Sequence, residues 1–360
     1  SSQSRGLGDV YKRQTFSPAQ TQDIGFSSDT VYLDTVFTSI GSSTYNLRIY
    51  NLSDRNVEIG SIRLGQGSQS QFRINVDGIH GESFEQVELL AKDSIYVFIE
   101  TTVDIKEYTP NATEFLYNDQ LLVDNQAVEL ITLVKDAIFL YPERDKDGIK
   151  EILPLGIDDE GNVVGIEGFY LDDDELEFTN EKPYVIYGYA GIPPEKTAVF
   201  EAGARIHFHD NSGLIAAQSS SVHVLGNPSV DEEQLEGEVI FAGDRLEPFF
   251  EDIPGQWGTI WLTAGSTNHI FRHATIKNAS VGILMDYNDE TENPTLLLEQ
   301  TQIHNSSTVG LWAKTAHVKA VNSIFGNAGN ASFYGNIGGS YEFTHCTFSN
   351  YWNRSFRSTP

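Results

Sequence analysis

The chain has 360 residues, 39% hydrophobic and 11% aromatic, enough to build a core and to exclude global disorder. Its 51 acidic residues against 23 basic ones give a formal charge of -28, a field that repels phosphate backbones and excludes nucleic acid as a partner. The one cysteine, Cys346, excludes an intrachain disulfide framework and a cysteine-rich zinc site, and no run approaches the roughly 20 apolar residues of a membrane span.

In chain order, residues 1–14 read SSQSRGLGDVYKRQ, with no periodicity and a basic bias foreign to the rest. The DVYKRQ end resembles a translated sequencing adapter, so this segment is read as artefactual or disordered and set aside from the fold. The natural start, signal peptide included, is expected upstream. From residue 15 to 135 the pattern is strand after strand. Alternating or β-branched runs fall at 45–50, 57–64, 71–76, 87–90, 94–103, 114–123 and 127–134. Turn chemistry separates them at Gly65-Gln66-Gly67, Asp77-Gly78 and Asp124-Asn125. So many short strands predict a β-sandwich. The stretch 34–38, with 45–50 and Phe72-Arg73-Ile74, resembles the Ig-like modules of bacterial surface proteins.

Residues 136–180 read as an acidic connector. Its Asp145-Lys146-Asp147-Gly148, Asp158-Asp159-Glu160-Gly161-Asn162 and Asp172-Asp173-Asp174-Glu175 loops cluster the carboxylate oxygens that a hard cation takes. Asp145, Asp147, Asp172 and Asp174 are therefore calcium candidates, although the spacing lacks the full calcium-loop pattern. A solvated acidic linker explains the same residues. No other cofactor is implied.

The region 181–360 carries a repeat. Asn278, Asn305, Asn327 and Asn350 recur at intervals of 22 to 27 residues. Two positions before each stand Ile276, Ile303, Phe325 and Phe348; four before stand the small Ala274, Thr301, Ser323 and Cys346. Seven before stand Phe271, Leu298, Ala320 and Phe343, and five or six after stand Ile283, Leu311, Phe333 and Phe356. Alternate strand residues share a face, so these positions stack coil upon coil into interior files. Asn at the turn tolerates a left-handed backbone, and its amide can bond to its neighbour in a ladder. Less regular coils precede, at 204–214, 221–227, 238–243 and 258–265. The prediction is an all-β chain: an Ig-like β-sandwich, then a right-handed parallel β-helix, a solenoid truncated at its C-terminus because no cap covers the last coil.

The segment 182–188, Gly243-Asp244-Arg245, Pro254-Gly255-Gln256-Trp257 and 344–348 resemble the right-handed β-helix proteins of Bacteroidetes-type bacteria. That resemblance implies a secreted or surface-anchored bacterial protein, often without assigned activity.

Enzymes on such a fold need clustered carboxylates along an exposed sheet. The positions five, three and one before each Asn, read as outward, hold His273, Gln300, Asn322 and His345; Thr275, Gln302, Ile324 and Thr347; and Lys277, His304, Gly326 and Ser349, with no Asp or Glu. His273 and His345 are three coils apart, roughly 14 Å at the usual strand spacing, too far to share an ion. The densest chemistry is Asp244, Arg245, Glu247, Glu251 and Asp252 beside Phe249, Phe250, Trp257 and Trp261. Rings beside carboxylates suit a sugar, with Asp252, Trp257, Trp261 and Phe249 as ligand-binding candidates and Asp244, Arg245, Glu247 and Glu251 as catalytic ones. A loop pinned by its own ion pair, with the tryptophans in the core, is the competing account. The leading expectation is a non-catalytic extracellular or cell-surface protein for adhesion or glycan binding. The alternatives are a polysaccharide lyase or glycoside hydrolase, and a structural spacer.

Overall fold

A computed structural model describes residues 15–109, 111–288 and 293–351. The segment 1–14 and Phe356 lie outside the described residues. The protein is all-β, its described helical segments being single 3-10 turns, and it divides into two compact units at Lys135/Asp136.

In the first unit two sheets share one core. One sheet orders Ser17–Pro18, Val57–Leu64, Glu114–Val123, Gln126–Lys135 and Thr30–Phe37, with Ser83–Leu89 also on Val57–Leu64. The other orders Ile24–Phe26, Tyr45–Asn51, Ser94–Thr101, Phe72–Val76 and Ile79–Gly81. Alternation does what period two requires: Leu47 and Ile49 of one sheet, with Val57, Ile59, Leu121 and Leu130 of the other, are fully buried in the same cluster. The Asp77-Gly78 turn has φ of 50° and 85° and pairs Val76 with Ile79, the primed geometry that matches strand twist. Thr30–Phe37 is concealed in the sequence by a bulge. Asp34 sits at φ 54°, and the register with the neighbouring strand shifts between Ile131 and Leu133, breaking the alternation.

The second unit is a 19-stranded sheet, parallel throughout except for one hairpin. Residues 136–180, expected as a connector, instead belong to it. Ile138–Leu140 pairs with Tyr184–Ile186, Gly168, Phe169 and Tyr170 pair with Tyr189, Ala190 and Gly191, and Glu177–Phe178 pairs with Thr197–Glu201. The acidic runs that suggested a linker are turns between these strands, whose apolar residues Leu140, Phe169 and Phe178 enter the core. A charged surface loop says nothing about what its flanks bury.

The strands form three ladders. One runs from Glu177–Phe178 through Thr197–Glu201 and Ser221–Leu225 to residues 270–272, 296–299, 318–321 and 341–344. A second runs from Ile138–Leu140 through Tyr184–Ile186, Arg205–Phe208 and Val239–Gly243 to residues 274–277, 301–304, 324–326 and 347–349. The third runs from residues 168–170 through Tyr189–Ile192, Gly213–Ala216 and Ile260–Leu262 to residues 281–286, 309–314 and 331–336. Inside the second ladder lie Ile206, Phe241, Ile276, Ile303 and Phe325 in register, each 0% exposed. Phe348 ends the described file at 47% exposed, and Phe333, Phe343 and Cys346 are only partly buried.

Each late coil turns three corners, and each corner carries a left-handed residue. One corner holds Asn278, Asn305 and Asn327, at φ 66°, 55° and 49°. A second holds His273, Gln300, Asn322 and His345, at φ 45° to 53°; these positions, expected as outward strand residues, are bends. The third holds Tyr287, Thr315 and Ile337, at φ 45°, 50° and 71°. Asn is the cheapest non-glycine residue for this conformation, whereas β-branched Thr and Ile are costly there. Parallel pairing of the residues on either side, Lys314 with Asn336 and Ala316 with Gly339, holds the backbone there.

Candidate functional site

The loop after Val239–Gly243 gathers the charged candidates, turning Asp244, Arg245 and Glu247 inward and leaving Glu251 and Asp252 exposed. Asp244 is 7% exposed and takes a 2.7 Å contact from His209 Nδ1, whose ring lies 4.4 Å from that of Tyr187. The hydrogen bond to Asp244 raises the His209 pKa above the ordinary imidazole value, and burial, with Asp244 nearby, raises that of Tyr187. Arg245 donates to Glu247 through Nε at 3.1 Å and Nη2 at 2.5 Å, and its guanidinium lies 4.8 Å from the centre of the Phe250 ring. Pro248–Phe250 forms a single 3-10 turn with Phe249 exposed and edge-on to Phe250.

The same loop braces the asparagine corner. Asn278 Nδ2 donates to the Glu251 carbonyl at 2.8 Å, and Asn305 Nδ2 to Asp252 Oδ1 at 3.0 Å. Asn327 Nδ2 donates to Asn305 Oδ1 at 2.6 Å, while Asn350 exchanges bonds with the Ala328 backbone at 2.9 and 3.2 Å. Gln256 Nε2 ties back to the Phe250 and Ile253 carbonyls at 2.6 and 2.7 Å. Asp252 and the Glu251 carbonyl hold this loop to the stack, the Arg245–Glu247 pair holds it to itself, and the Glu251 side chain is exposed. Removing Arg245 strips a carboxylate that is 3% exposed of its guanidinium. Arg245→Ala is therefore expected to cost about 2–3 kcal/mol in urea unfolding, less than a fully buried pair because Arg245 remains 32% exposed. An unchanged midpoint would show the pair to be idle.

The two tryptophans part company. Trp257 is 1% exposed, stacks 4.4 Å from Phe208 and donates through Nε1 to the Lys277 carbonyl at 2.9 Å, so it is core. Trp261 lies between the buried Ile260 and Leu262 on a strand and faces outward, half-buried, donating through Nε1 to Asp286 Oδ2 at 2.6 Å. It thereby joins an outer file that sequence reading missed. Trp261, Leu284, Trp312 and Tyr334 occupy one register position on four successive coils of the third ladder. Two residues further on, Asp286, Lys314 and Asn336 form a parallel polar file. The two files are stitched together: Lys314 Nζ is 3.1 Å from Asp286 and 4.7 Å from the Trp312 ring centre, and Trp312 Nε1 donates to Asn336 Oδ1 at 3.3 Å. Trp312 and Tyr334 have ring centres 5.8 Å apart, and Tyr334 is 46% exposed. The signal was present in the repeat. The residue after each inward Ile283, Leu311 and Phe333 is Leu284, Trp312 and Tyr334, and strand alternation sends it outward.

Of the calcium candidates, Asp145 and Asp172 serve their own turns and the Asp147 side chain is exposed. Asp145 Oδ1 accepts from the Asp147 and Ile149 N–H groups at 2.9 Å each. Asp172 opens the turn Asp173–Glu175, its N–H donating to Glu175 Oε2 at 3.0 Å, and Asp174 is exposed. Among the described residues no three His, Cys, Asp or Glu side chains converge as a metal site, and none of the described helices is long and apolar enough to cross a membrane.

No family model and no curated protein matches the chain. Among solved structures, it is similar to a family 123 glycoside hydrolase from Clostridium perfringens described in terms of glycolipid glycan hydrolysis. The identity is 9%, over 32% of this chain and 30% of that one, with a TM-score of 0.22. It is also similar to a protein of unknown function from Porphyromonas gingivalis, at 10% identity over 34% of this chain and 55% of that one, with a TM-score of 0.21. A PapD-like domain of human CEP192 aligns at 9% identity over 37% of this chain and 97% of that one, with a TM-score of 0.20. The chain thus spans less than two thirds of the first two proteins it resembles.

Proposed function

We propose that this is a glycan-binding protein of the bacterial exterior, and that its binding surface is the outer file Trp261, Leu284, Trp312 and Tyr334. The observation that carries the reading is the pairing of that file with Asp286, Lys314 and Asn336. Aromatic faces meet the C–H faces of pyranose rings, and side chains at their edge bond the equatorial hydroxyls. Successive coils are about 4.8 Å apart, close to the advance of one sugar along an extended chain. The acidity of the chain argues for a neutral glycan over a uronate or sulfated one.

On this reading the second unit is a right-handed parallel β-helix, because parallel strands joined by crossovers take that hand. The first unit is an Ig-like β-sandwich of the sort that presents such domains at a bacterial surface. The role is adhesion or capture, with Asp244, Arg245, Glu247 and Glu251 as braces of the loop.

Affinity electrophoresis in gels carrying soluble β-1,4-glucan, β-1,3-glucan or β-1,4-mannan tests the reading. Retardation in at least one gel is expected, weakened about tenfold or more by Trp312→Ala, the loss typical of a central aromatic anchor. Wild-type mobility unchanged in all three, or a Trp312→Ala protein bound as tightly as wild type, would overturn it.

A further inference from the structure

We infer that the hairpin of Ile152–Ile157 and Val163–Tyr170 is the end wall of this binding surface, so that a glycan meets it with a chain terminus; the inference rests on the glycan-binding reading above. The outer file does not begin at Trp261. Upstream, the same register position holds Tyr170, Gly191 and Ile215. Gly191 and Ile215 are roofed, while Tyr170, on the hairpin itself, is 40% exposed. Leu153 of the hairpin sits directly on Gly191, where an added Cβ would lie 3.0 Å from both Leu153 methyl groups, and on Gly168, at 3.0 Å from one of them.

Leu153, Tyr189 and Ile215 are 3%, 8% and 5% exposed and form a small cluster of their own on the outer side of the sheet, with Ile166 packed against it. Tyr189 lies flat across the following coils. A Cβ on Gly213 would come within 2.6 Å of its ring, and one on Gly258 within 2.1 Å of its hydroxyl oxygen. Trp261 packs against this cluster from the downstream side. It is therefore the first ring beyond the roof, and Trp312 and Tyr334 follow on the open side. An ion pair between Lys150 and Glu167 fastens the base of the hairpin.

A pyranose chain lying along the file over Tyr334 and Trp312 reaches Trp261 and then meets Leu153 and Ile166. Apolar side chains packed at that point leave no trough for the polymer to continue, and its last ring ends against the wall. A binding surface closed at one end counts chain ends, whereas an open one counts sugar residues.

That difference is measurable on the full chain. Titration calorimetry with β-1,4-glucan, β-1,3-glucan and β-1,4-mannan oligosaccharides, each as short, intermediate and long preparations of known molar concentration, gives the number of protein molecules per glycan chain. One protein per chain at every length is expected, with affinity per gram of glycan rising in proportion to chain ends as the polymer is fragmented. A number of bound proteins that grows with length would overturn the end wall and leave the glycan reading standing. Silence in all three series would overturn both.

Discussion

Phe241→Ala is expected to destabilise the second unit by about 3–5 kcal/mol, the cost of a large cavity in a core that cannot collapse. Phe241 is 0% exposed, with ring centres 5.3 Å from Phe200, 6.5 Å from Phe208 and 6.3 Å from Phe271. It thus joins two of the three ladders at mid-stack. Its backbone is hydrogen-bonded to the coils on both sides, with Ile206 in register on one side and Ile276 on the other, so neither neighbour can move in to fill the void. Phe348, in the same file but 47% exposed, supplies the control: Phe348→Ala is expected to cost a fraction of that, roughly 1 kcal/mol, because much of its area is already in water. All four tryptophans lie between residues 257 and 352, so their fluorescence in urea reports the second unit alone. Equal losses for the two variants would contradict an interior file of graded depth.

Acid is expected to weaken the second unit well before its carboxylates protonate. His269 is 1% exposed; its Nδ1 accepts from the Val222 N–H at 3.2 Å and its Nε2 sits 3.0 Å from Ser266 Oγ. Burial pulls its pKa down to about 3, and burial pulls that of His207 down to about 4. Burial, with Lys277 nearby, lowers His304 as well. A lowered imidazole favours the neutral form in the fold, so its contribution is complete above the unfolded value of about 6.5 and drains away as pH falls toward the folded pKa. At pH 5 the loss from His269 alone is about 2 kcal/mol. His209, raised by Asp244, gains its stability as pH falls through its raised pKa toward 6.5 and is complete below that, so it does not offset the loss between 6.5 and 5, and being 47% exposed it adds little above. The expected urea midpoint is flat from pH 8 to 6.5 and drops steadily from 6.5 to 5. His269→Gln, which cannot titrate, should remove much of that slope even if it lowers the plateau. A wild-type midpoint level to pH 5 would mean that these rings are not held neutral.

The sequence by itself determined the period of the late coils. Files such as Ile276, Ile303 and Phe325, and the asparagine corner beside them, are written as columns because each coil solves the same packing problem as the one above it, with the same kind of side chain. It also determined the turn at Asp77-Gly78, where local backbone preference suffices, though not the short strand Ile79–Gly81 that pairs back across it. What it could not show is how residues far apart in the chain use one another.

Only the tertiary structure decided that 136–180 supplies the first strands of the stack, since parallel pairing leaves no mark on a strand three residues long. Only it separated Trp257 from Trp261. Four positions along a strand and loop placed one ring in the core and the other on the outer face, a choice made by the neighbouring coils. The charged loop at Asp244 makes its ion pairs and hydrogen bonds with His209, within itself and with the asparagine corner. Carboxylates and amides announce hydrogen bonds in a sequence without saying to whom they are made. The aromatic file at Trp312 and Tyr334 was legible in principle, one residue beyond columns already aligned. Its role as a surface, and its closure by Leu153, depend on which face the hairpin folds over, and no local preference encodes that.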